Sequence, residues 1–123
     1  MTDAESVVSA FVKEFDAPKP AAETLMAYFA DDAVYRNIPM EPLRGKAAIG
    51  KALGGMMQME SAGWEILNQV ASGDLVMNER IDRFKAGDKS IEIPVVGVFR
   101  VVDGKIAEWR DYFDLGMWQK QMA

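Results

Sequence analysis

Four consecutive runs of β-forming residues occupy the second half of the sequence. From Trp64 onward, segments rich in Val, Ile and aromatic residues are separated by Ser72-Gly73-Asp74, Ala86-Gly87-Asp88 and Asp103-Gly104. Glycine beside aspartate in such short separators is typical of the tight turns that join antiparallel strands. The sequence therefore predicts four strands joined by hairpins, in a sheet with at least one face that other elements must cover.

The first half of the chain has the pattern of helices. Thr2 and Glu5 have the spacing of a capping box, and the apolar residues that follow recur on one helical stripe, which predicts a helix over residues 3–16. Pro20 can occupy the first position of a second helix, which we expect to end near residues 31–32.

A short strand over Ala33–Asn37 and a third helix over Gly45–Met57 complete this half. The 123 residues contain no repeat, low-complexity tract or linker, and a chain of about 100–200 residues usually makes one domain. Helices followed by an antiparallel sheet are typical of the α+β class. We therefore expect one α+β domain over residues 1–123.

Two absent residue types restrict the chemistry. The sequence contains no cysteine and no histidine, which excludes disulfides, thiolate nucleophiles and every catalytic triad that uses either residue. An enzyme with this sequence must move protons through Asp, Glu, Lys or Tyr side chains. The commonest metal ligands and the glycine motif of dinucleotide-binding proteins are also missing, so we expect no metal ion and no cofactor.

The charge balance argues against polyanionic partners. The formal charge is −5, half of the residues are apolar and 27% are charged, so neither a disordered chain nor a nucleic-acid-binding surface is favoured. The start, Met1-Thr2-Asp3-Ala4-Glu5, has no basic segment before an apolar run, and no uncharged stretch is long enough to span a bilayer. We expect no nucleic-acid partner, no membrane partner and a cytoplasmic location.

The turn at Asp103-Gly104 decides which side chains of the last two strands share a face. A two-residue loop pairs odd positions with even ones, whereas a three-residue loop with Gly104 in a bulge pairs odd with odd. Only the bulged register separates apolar from charged side chains, so we predict it, with Gly97 opposite Trp109. The inner face then holds Ile91, Ile93, Val95, Gly97, Phe99, Val101, Ala107, Trp109, Asp111 and Phe113.

Asp111 is the one acid on that inner face, and a lone buried carboxyl is costly without a partner. It can reach water or a backbone donor near the end of the sheet, or it can meet Arg80. Arg80 and Asp82 lie two apart in a strand and can pair on one side. On base rates such a pair is more often a solvated surface pair, whereas an inward Arg80 would give Asp111 its partner.

Tyr35 and Asn37 share one side of the predicted strand in the first half of the chain. A phenol and an amide are well suited to holding one water or one substrate oxygen. A surface tyrosine and a turn asparagine before Ile38-Pro39 are the commoner explanation for such a pair.

Four segments resemble the limonene-1,2-epoxide hydrolase family in order and spacing, most densely over residues 77–115, and Tyr35-x-Asn37 adds to the match. They are Asn78-Glu79-Arg80-Ile81-Asp82, Gly97-Val98-Phe99, Gly104-Lys105-Ile106 and Trp109-Arg110-Asp111-Tyr112-Phe113-Asp114-Leu115. The resemblance implies a nuclear-transport-factor-2-like cone, in which helices close a curved, mostly antiparallel sheet over an apolar pocket. It also implies a homodimer.

The resemblance further implies a role for each of five residues. Asp111 would take a proton from water, and Tyr35 and Asn37 would help to hold that water. Asp82 would protonate the epoxide oxygen, and Arg80 would bridge the two carboxylates. Opening an epoxide needs an attacking oxygen made more basic and a leaving alkoxide made neutral, which two carboxyls in opposite protonation states can supply.

The implied function is cofactor-free hydrolysis of small apolar epoxides, cyclic or terpenoid-like, to vicinal diols in one step. The expected partners are the epoxide, water and a second copy of the chain. An isomerase or polyketide cyclase on the same fold is an alternative, as is a non-enzymatic module that binds an apolar ligand. The walls of the pocket are expected to include Phe84, Ile93, Val95, Trp109, Phe113 and Met57.

Overall fold

The computed structural model of the chain describes residues 3–56 and 59–123. Within these residues the chain has an α+β fold with a curved six-stranded sheet, which confirms the predicted fold class. The helices are α1 (Asp3–Lys13), α2 (Ala22–Met26), α3 (Lys46–Met56) and α4 (Leu115–Met122), with a 3₁₀ turn at Glu14–Asp16. The strands are β1 (Phe29–Asn37), β2 (Leu43–Arg44), β3 (Glu60–Ser72), β4 (Leu75–Ala86), β5 (Lys89–Val102) and β6 (Lys105–Tyr112).

The strands lie in the order β2-β1-β6-β5-β4-β3. The last four strands pair antiparallel with their neighbours in sequence, as predicted, because short turns return the chain directly beside itself. β1 pairs parallel with β6 and therefore brings the first half of the chain to the last strand. This parallel pair places the predicted Tyr35 and Asn37 beside Trp109 and Asp111.

Aromatic packing attaches α1 to the inner face of the sheet. Phe11 of α1 is fully buried and makes edge-on contacts with Trp109, Phe29 and Phe15, with ring centroids 5.1, 5.3 and 5.5 Å apart. Such pairs contribute about 0.5–1.5 kcal/mol each beyond the burial of their apolar area. The helix predicted over residues 3–16 is thus a helix and one 3₁₀ turn whose apolar stripe covers the sheet.

The second helix is shorter than predicted, and the first strand is longer. α2 ends at Met26, and the chain is already in β1 at Phe29, where we expected helix. Phe29 is 1% exposed and pairs with Ile106 of β6, so sheet pairing outweighs the helical spacing of the sequence. The prediction for Pro20 is also wrong, since α2 begins at Ala22. Thr2 of the predicted capping box lies outside the described residues.

The last hairpin has a two-residue loop, so the prediction of a bulge at Gly104 is wrong. Val102 pairs with Lys105, and both Asp103 and Gly104 have positive φ, at 52° and 76°. Two successive positive φ angles are the geometry of the type I′ turn, whose twist matches that of the flanking strands. Ile106 consequently points into the core and is fully buried.

The bulge lies further along, at Ala107. Arg100 pairs with Glu108 after this shift, and odd positions then face odd positions, as the inner-face chemistry had required. Phe99 lies opposite Trp109, and Gly97 lies opposite Asp111. The prediction that Gly97 faces Trp109 is therefore wrong by one pair.

None of the helices in residues 3–56 and 59–123 combines the length and the apolar character that a membrane crossing needs.

Candidate active site

The inner face of β4 carries three buried polar side chains. Asn78, Arg80 and Asp82 are 2%, 0% and 4% exposed, because the even positions of the strand point inward. The interpretation of Arg80 and Asp82 as a solvated surface pair is therefore wrong. Their burial means that each polar group needs a partner inside the protein.

Arg80 joins the two acids of the site. Its Nε donates to Asp82 Oδ1 and its Nη2 to Asp82 Oδ2, each at 3.0 Å. The same Nη2 also donates to Asp111 Oδ2 at 3.0 Å. Asp111 is 4% exposed, so its carboxylate finds its partner in Arg80. One guanidinium thus holds two buried carboxylates in a fixed arrangement.

Gly97 makes this bridge possible. Arg80 lies on β4 and Asp111 on β6, and Gly97 of the intervening β5 is the pairing partner of Asp111. A Cβ atom at Gly97 would collide with Arg80 Nη1 and would come within 3.0 Å of Asn78 Oδ1. The absent side chain therefore leaves room for the guanidinium.

The parallel pairing of β1 with β6 brings the remaining predicted residues to Asp111. Asn37 pairs with Asp111, and Tyr35 pairs with Trp109, with their rings stacked 4.0 Å apart between centroids. The Tyr35 hydroxyl donates to Asn37 Oδ1 at 3.0 Å. Trp109 Nε1 donates to Asp111 Oδ1 at 2.7 Å, so both carboxylate oxygens of Asp111 accept hydrogen bonds.

The surroundings of the site raise the pKa of both acids. Burial raises the pKa of Asp82 to about 6, against the opposing effect of Arg80. Burial also raises the pKa of Asp111, although Arg80 and the Trp109 indole oppose it. Burial lowers the pKa of Arg80, but the two carboxylates raise it by more, so the guanidinium stays charged. Burial and the charge of Asp111 raise the pKa of Tyr35. Because the two acids share one guanidinium, they can hold one proton between them.

A cavity of about 180 Å³ lies over these groups. Its polar lining consists of four of the residues predicted for the site, which are Tyr35, Asn37, Asp82 and Asp111. Its apolar walls include four of the residues expected from the sequence, which are Phe84, Ile93, Val95 and Phe113. A mostly apolar cavity with a few convergent polar groups is typical of a small-molecule site.

Trp109, which was expected in the walls, is not among the residues that line the cavity. Trp109 is fully buried and lies behind the lining, because its place opposite Phe99 puts it beneath α1 against Phe11. From this position the indole supports Asp111 instead of touching the cavity. Met57 lies outside the described residues.

Four further residues line the cavity that the sequence did not predict, which are Met40, Trp64, Leu115 and Trp118. The spacing of Leu115 and Trp118 places them on one face of α4. An apolar pair on one face of a short terminal helix is a signal that could have predicted their place in the cavity wall. Met40 lies in the loop after β1, where no periodicity points to its direction. It is 43% exposed and therefore lies at the mouth of the cavity.

The helix α4 is attached to the end of β5 that reaches past β6. Among the described residues, Lys89–Val95 of β5 pair with β4 on one side only, because β6 ends at Tyr112 opposite Val96. Gln121 of α4 supplies the missing partner there, accepting from Glu92 N at 2.8 Å and donating to Glu92 O at 2.9 Å. Lys89 Nζ donates to the carbonyl oxygens of residues 122 and 123.

Proton transfer is the chemistry that this arrangement can perform. With one proton between them, two acids beside a charged guanidinium offer one carboxylate that can accept a proton and one carboxyl that can donate a proton. Within residues 3–56 and 59–123, no three acidic side chains are grouped so that they could hold a metal ion.

Sequence comparison identifies related proteins. The family model for the limonene-1,2-epoxide hydrolase catalytic domain matches residues 2–123. Epoxide hydrolase EphG of Mycobacterium tuberculosis is 36% identical over 93 residues, which are 76% of this chain. The match spans 62% of the length of that relative.

Solved structures agree with this result. An epoxide hydrolase of M. tuberculosis, described as similar to the limonene enzymes, superposes with a TM-score of 0.83 at 32% identity, over 97% of this chain and 88% of that chain. A protein of ketosteroid isomerase-like fold from Catenulispora acidiphila reaches a TM-score of 0.81 at 18% identity, over 94% and 90% of the two chains, which shows a shared fold. The fold is thus nuclear-transport-factor-2-like, and the chain belongs to the limonene-1,2-epoxide hydrolase family.

Proposed function

We propose that this chain is an epoxide hydrolase that adds water to small apolar epoxides and gives vicinal diols. The observation that carries the proposal is the Arg80 guanidinium joined to two buried carboxylates, Asp82 and Asp111, at one apolar cavity. The M. tuberculosis matches found by sequence and by structure are named as epoxide hydrolases, which supports the same activity here. No cofactor is needed for this reaction, because two acids in opposite protonation states supply both proton transfers.

Asp111 is the proposed general base. It pairs across the parallel strands with Asn37, and the Tyr35 hydroxyl occupies Asn37 Oδ1, which leaves Asn37 Nδ2 to donate to a water oxygen. A water held by Asn37 and Tyr35 lies beside the Asp111 carboxylate, which takes one of its protons as the oxygen attacks a ring carbon. Trp109 keeps the carboxylate in place for this step.

Asp82 is the proposed general acid. Its pKa is raised to about 6, so it can hold the shared proton and give it to the epoxide oxygen as the carbon–oxygen bond breaks. The diol then contains the hydroxyl from water and the hydroxyl from the opened ring. Asp111 is left protonated and Asp82 ionised, and the starting state is restored when Asp111 releases its proton and Asp82 takes up one. Arg80 faces one negative charge before and after the step.

The substrate is proposed to be a small apolar epoxide, cyclic or terpenoid-like. The cavity volume of about 180 Å³ and the walls of Phe84, Ile93, Val95 and Phe113 favour an apolar molecule of this size over a polar or bulky one. Its polar groups lie together in the lining, where an epoxide oxygen and a water can meet them. Cyclohexene oxide, a small cyclic epoxide, is therefore a suitable test substrate.

A single-turnover experiment in ¹⁸O-labelled water tests the mechanism. With enzyme in excess over cyclohexene oxide, the first diol should carry the solvent label, because water itself attacks the ring. A route through an ester with Asp111 would need a separate base to activate water, and the chain has no histidine for that task. Unlabelled diol on the first turnover, followed by label in the Asp111 peptide, would contradict direct attack. No diol at all would contradict the proposed activity.

A homodimer is proposed from the outer face of the sheet. Several apolar side chains are exposed there, with Val70 66% exposed; the others are Met77, Val96, Val102 and Tyr112. Val98 lies on the same face by strand alternation but is only 6% exposed. An exposed apolar patch of this kind on a sheet is typical of an interface between subunits.

Light scattering at concentrations on the order of tens of micromolar should give twice the chain mass. The Val96→Glu variant places a charge in this patch and should give the monomer mass while leaving the cavity intact. A monomer for the unchanged chain would contradict the proposal.

A further inference from the structure

Arg80 has a third partner besides the two acids. Its Nη1 donates to Asn78 Oδ1 at 2.8 Å, and Asn78 is 2% exposed. Asn78 lies two residues before Arg80 on β4, so its side chain shares the inner face with the guanidinium. Its amide does not line the cavity and so has no direct contact with a substrate there.

A chain of hydrogen bonds sets the direction of the Asn78 amide. Asn78 Nδ2 donates to Gln69 Oε1 at 3.2 Å, and Gln69 Nε2 donates to Ser9 Oγ of α1 at 3.0 Å. Gln69 is the pairing partner of Asn78 on β3. If the Asn78 amide turned over, its NH₂ group would face a guanidinium and its oxygen would face the oxygen of Gln69. These hydrogen bonds therefore keep Asn78 Oδ1 directed at Arg80.

We infer that Asn78 is a positioning residue, which holds the Arg80 guanidinium between Asp82 and Asp111 while the charges of those two acids exchange. This inference rests on the proposed function. In the proposed reaction Asp82 gains a negative charge as Asp111 loses one, and a guanidinium held by these two alone would be drawn toward the charged acid. Asn78 keeps the same neutral acceptor on Nη1 throughout.

The neutrality of Asn78 is as important as its contact. A carboxylate at this position would be a third anion on one guanidinium, and a nearby like charge raises the pKa of a carboxyl. The shared proton would then be held more tightly, and it would leave at a higher pH. An apolar residue would remove the contact and leave the charge of the site unchanged.

Two substitutions at this position separate contact from charge. Asn78→Leu should lower kcat for cyclohexene oxide by about 10- to 100-fold, the usual size for a hydrogen bond to a charged group, with KM within about twofold. Asn78→Asp should move the alkaline limb of the pH dependence of kcat upward by about one pH unit. The matched control is Asn68→Asp on the exposed side of β3, which should leave the profile in place.

A second measurement does not depend on turnover. Carbon-13 NMR of the aspartate carboxyls should show the two inner acids titrating at a higher pH in Asn78→Asp than in the unchanged chain. If Asn78→Leu does not fold, Gln69→Leu removes the partner of the amide and the bond to Ser9 but keeps Asn78 itself, and it should give a smaller loss of kcat with KM unchanged.

The outcomes separate the two proposals. Wild-type kcat and unshifted carboxyl titrations in the folded Asn78 variants would overturn the positioning role. Absence of diol with the unchanged chain would instead overturn the proposed function, and the carboxyl titration would still decide whether the side chain at position 78 acts on the pKa of the two acids.

Discussion

Asp111→Asn and Asp82→Asn should each lower kcat for diol formation by about 10²–10⁴-fold, the usual contribution of one general acid or base. An amide cannot take a proton from water at position 111 and cannot give one to the epoxide oxygen at position 82. Each substitution keeps the shape of the side chain, so KM and the affinity for the epoxide should change little. Retained affinity with lost turnover would also separate catalysis from simple carriage of an apolar ligand.

Stability measurements provide the control for these variants. Each single variant leaves one carboxylate with Arg80, so the free energy of unfolding should change little. The double variant leaves a fully buried guanidinium without a charged partner, which costs about 3–5 kcal/mol. Substantial turnover in Asp82→Asn would contradict the assignment of Asp82 as the acid.

The pH dependence of stability gives a further check on Asp82. Its pKa rises from an ordinary value of 3.8 to about 6 on folding, so the folded chain binds more protons than the unfolded chain between these values. The free energy of unfolding should therefore fall as the pH rises through this interval. Asp82→Asn removes this carboxyl, and the slope in this interval should become shallower.

Arg80→Lys should lower kcat by about 10²-fold, the size expected when reacting groups move by about an ångström. The guanidinium reaches Asp82 through two nitrogens and Asp111 through one of the same two, whereas an ammonium is a point charge without this planar fork. The two carboxylates would no longer be held at their present spacing. Stopped-flow or steady-state kinetics with cyclohexene oxide measures the loss.

Arg83→Lys is the matched control for this substitution. Arg83 lies on the same strand and bonds Glu65 and Glu92, but on the exposed side of the sheet. Exposed ion pairs contribute little, so kcat should be unchanged. Equal losses in both variants would show that the effect is general damage to β4 and not loss of the bridge.

The sheet could be predicted largely because its pairing is local. The four strands of the second half follow from turn residues and alternation that stand next to each other in the sequence. The prediction of which face of β6 points inward was also correct, although the bulge that gives this register lies at Ala107 and not at Gly104. The parallel pairing of Phe29–Asn37 with β6 has no such local signal, since it joins the two halves of the chain.

The site could be predicted where its members share a strand. Arg80 and Asp82 are two residues apart, so the period of the strand places them together, and the unpartnered Asp111 pointed to Arg80. Asn78 could not be assigned a role in this way, because the orientation of its amide depends on Gln69 of β3 and on the register between the two strands. The walls from α4 depend on where a terminal helix docks, which no periodicity specifies.

Gln121 has a consequence for how this molecule behaves among its own copies. The unpaired backbone of a strand edge is a template for pairing with another chain, and such edges lead to aggregation when nothing blocks them. The Gln121 amide occupies the free N–H and C=O of Glu92 as a neighbouring strand would, at the end of β5 that β6 leaves open. The helix that supplies Leu115 and Trp118 to the cavity therefore also blocks pairing of another chain with this part of β5. Redesigning that helix for new substrates risks insoluble protein unless Gln121 keeps its place.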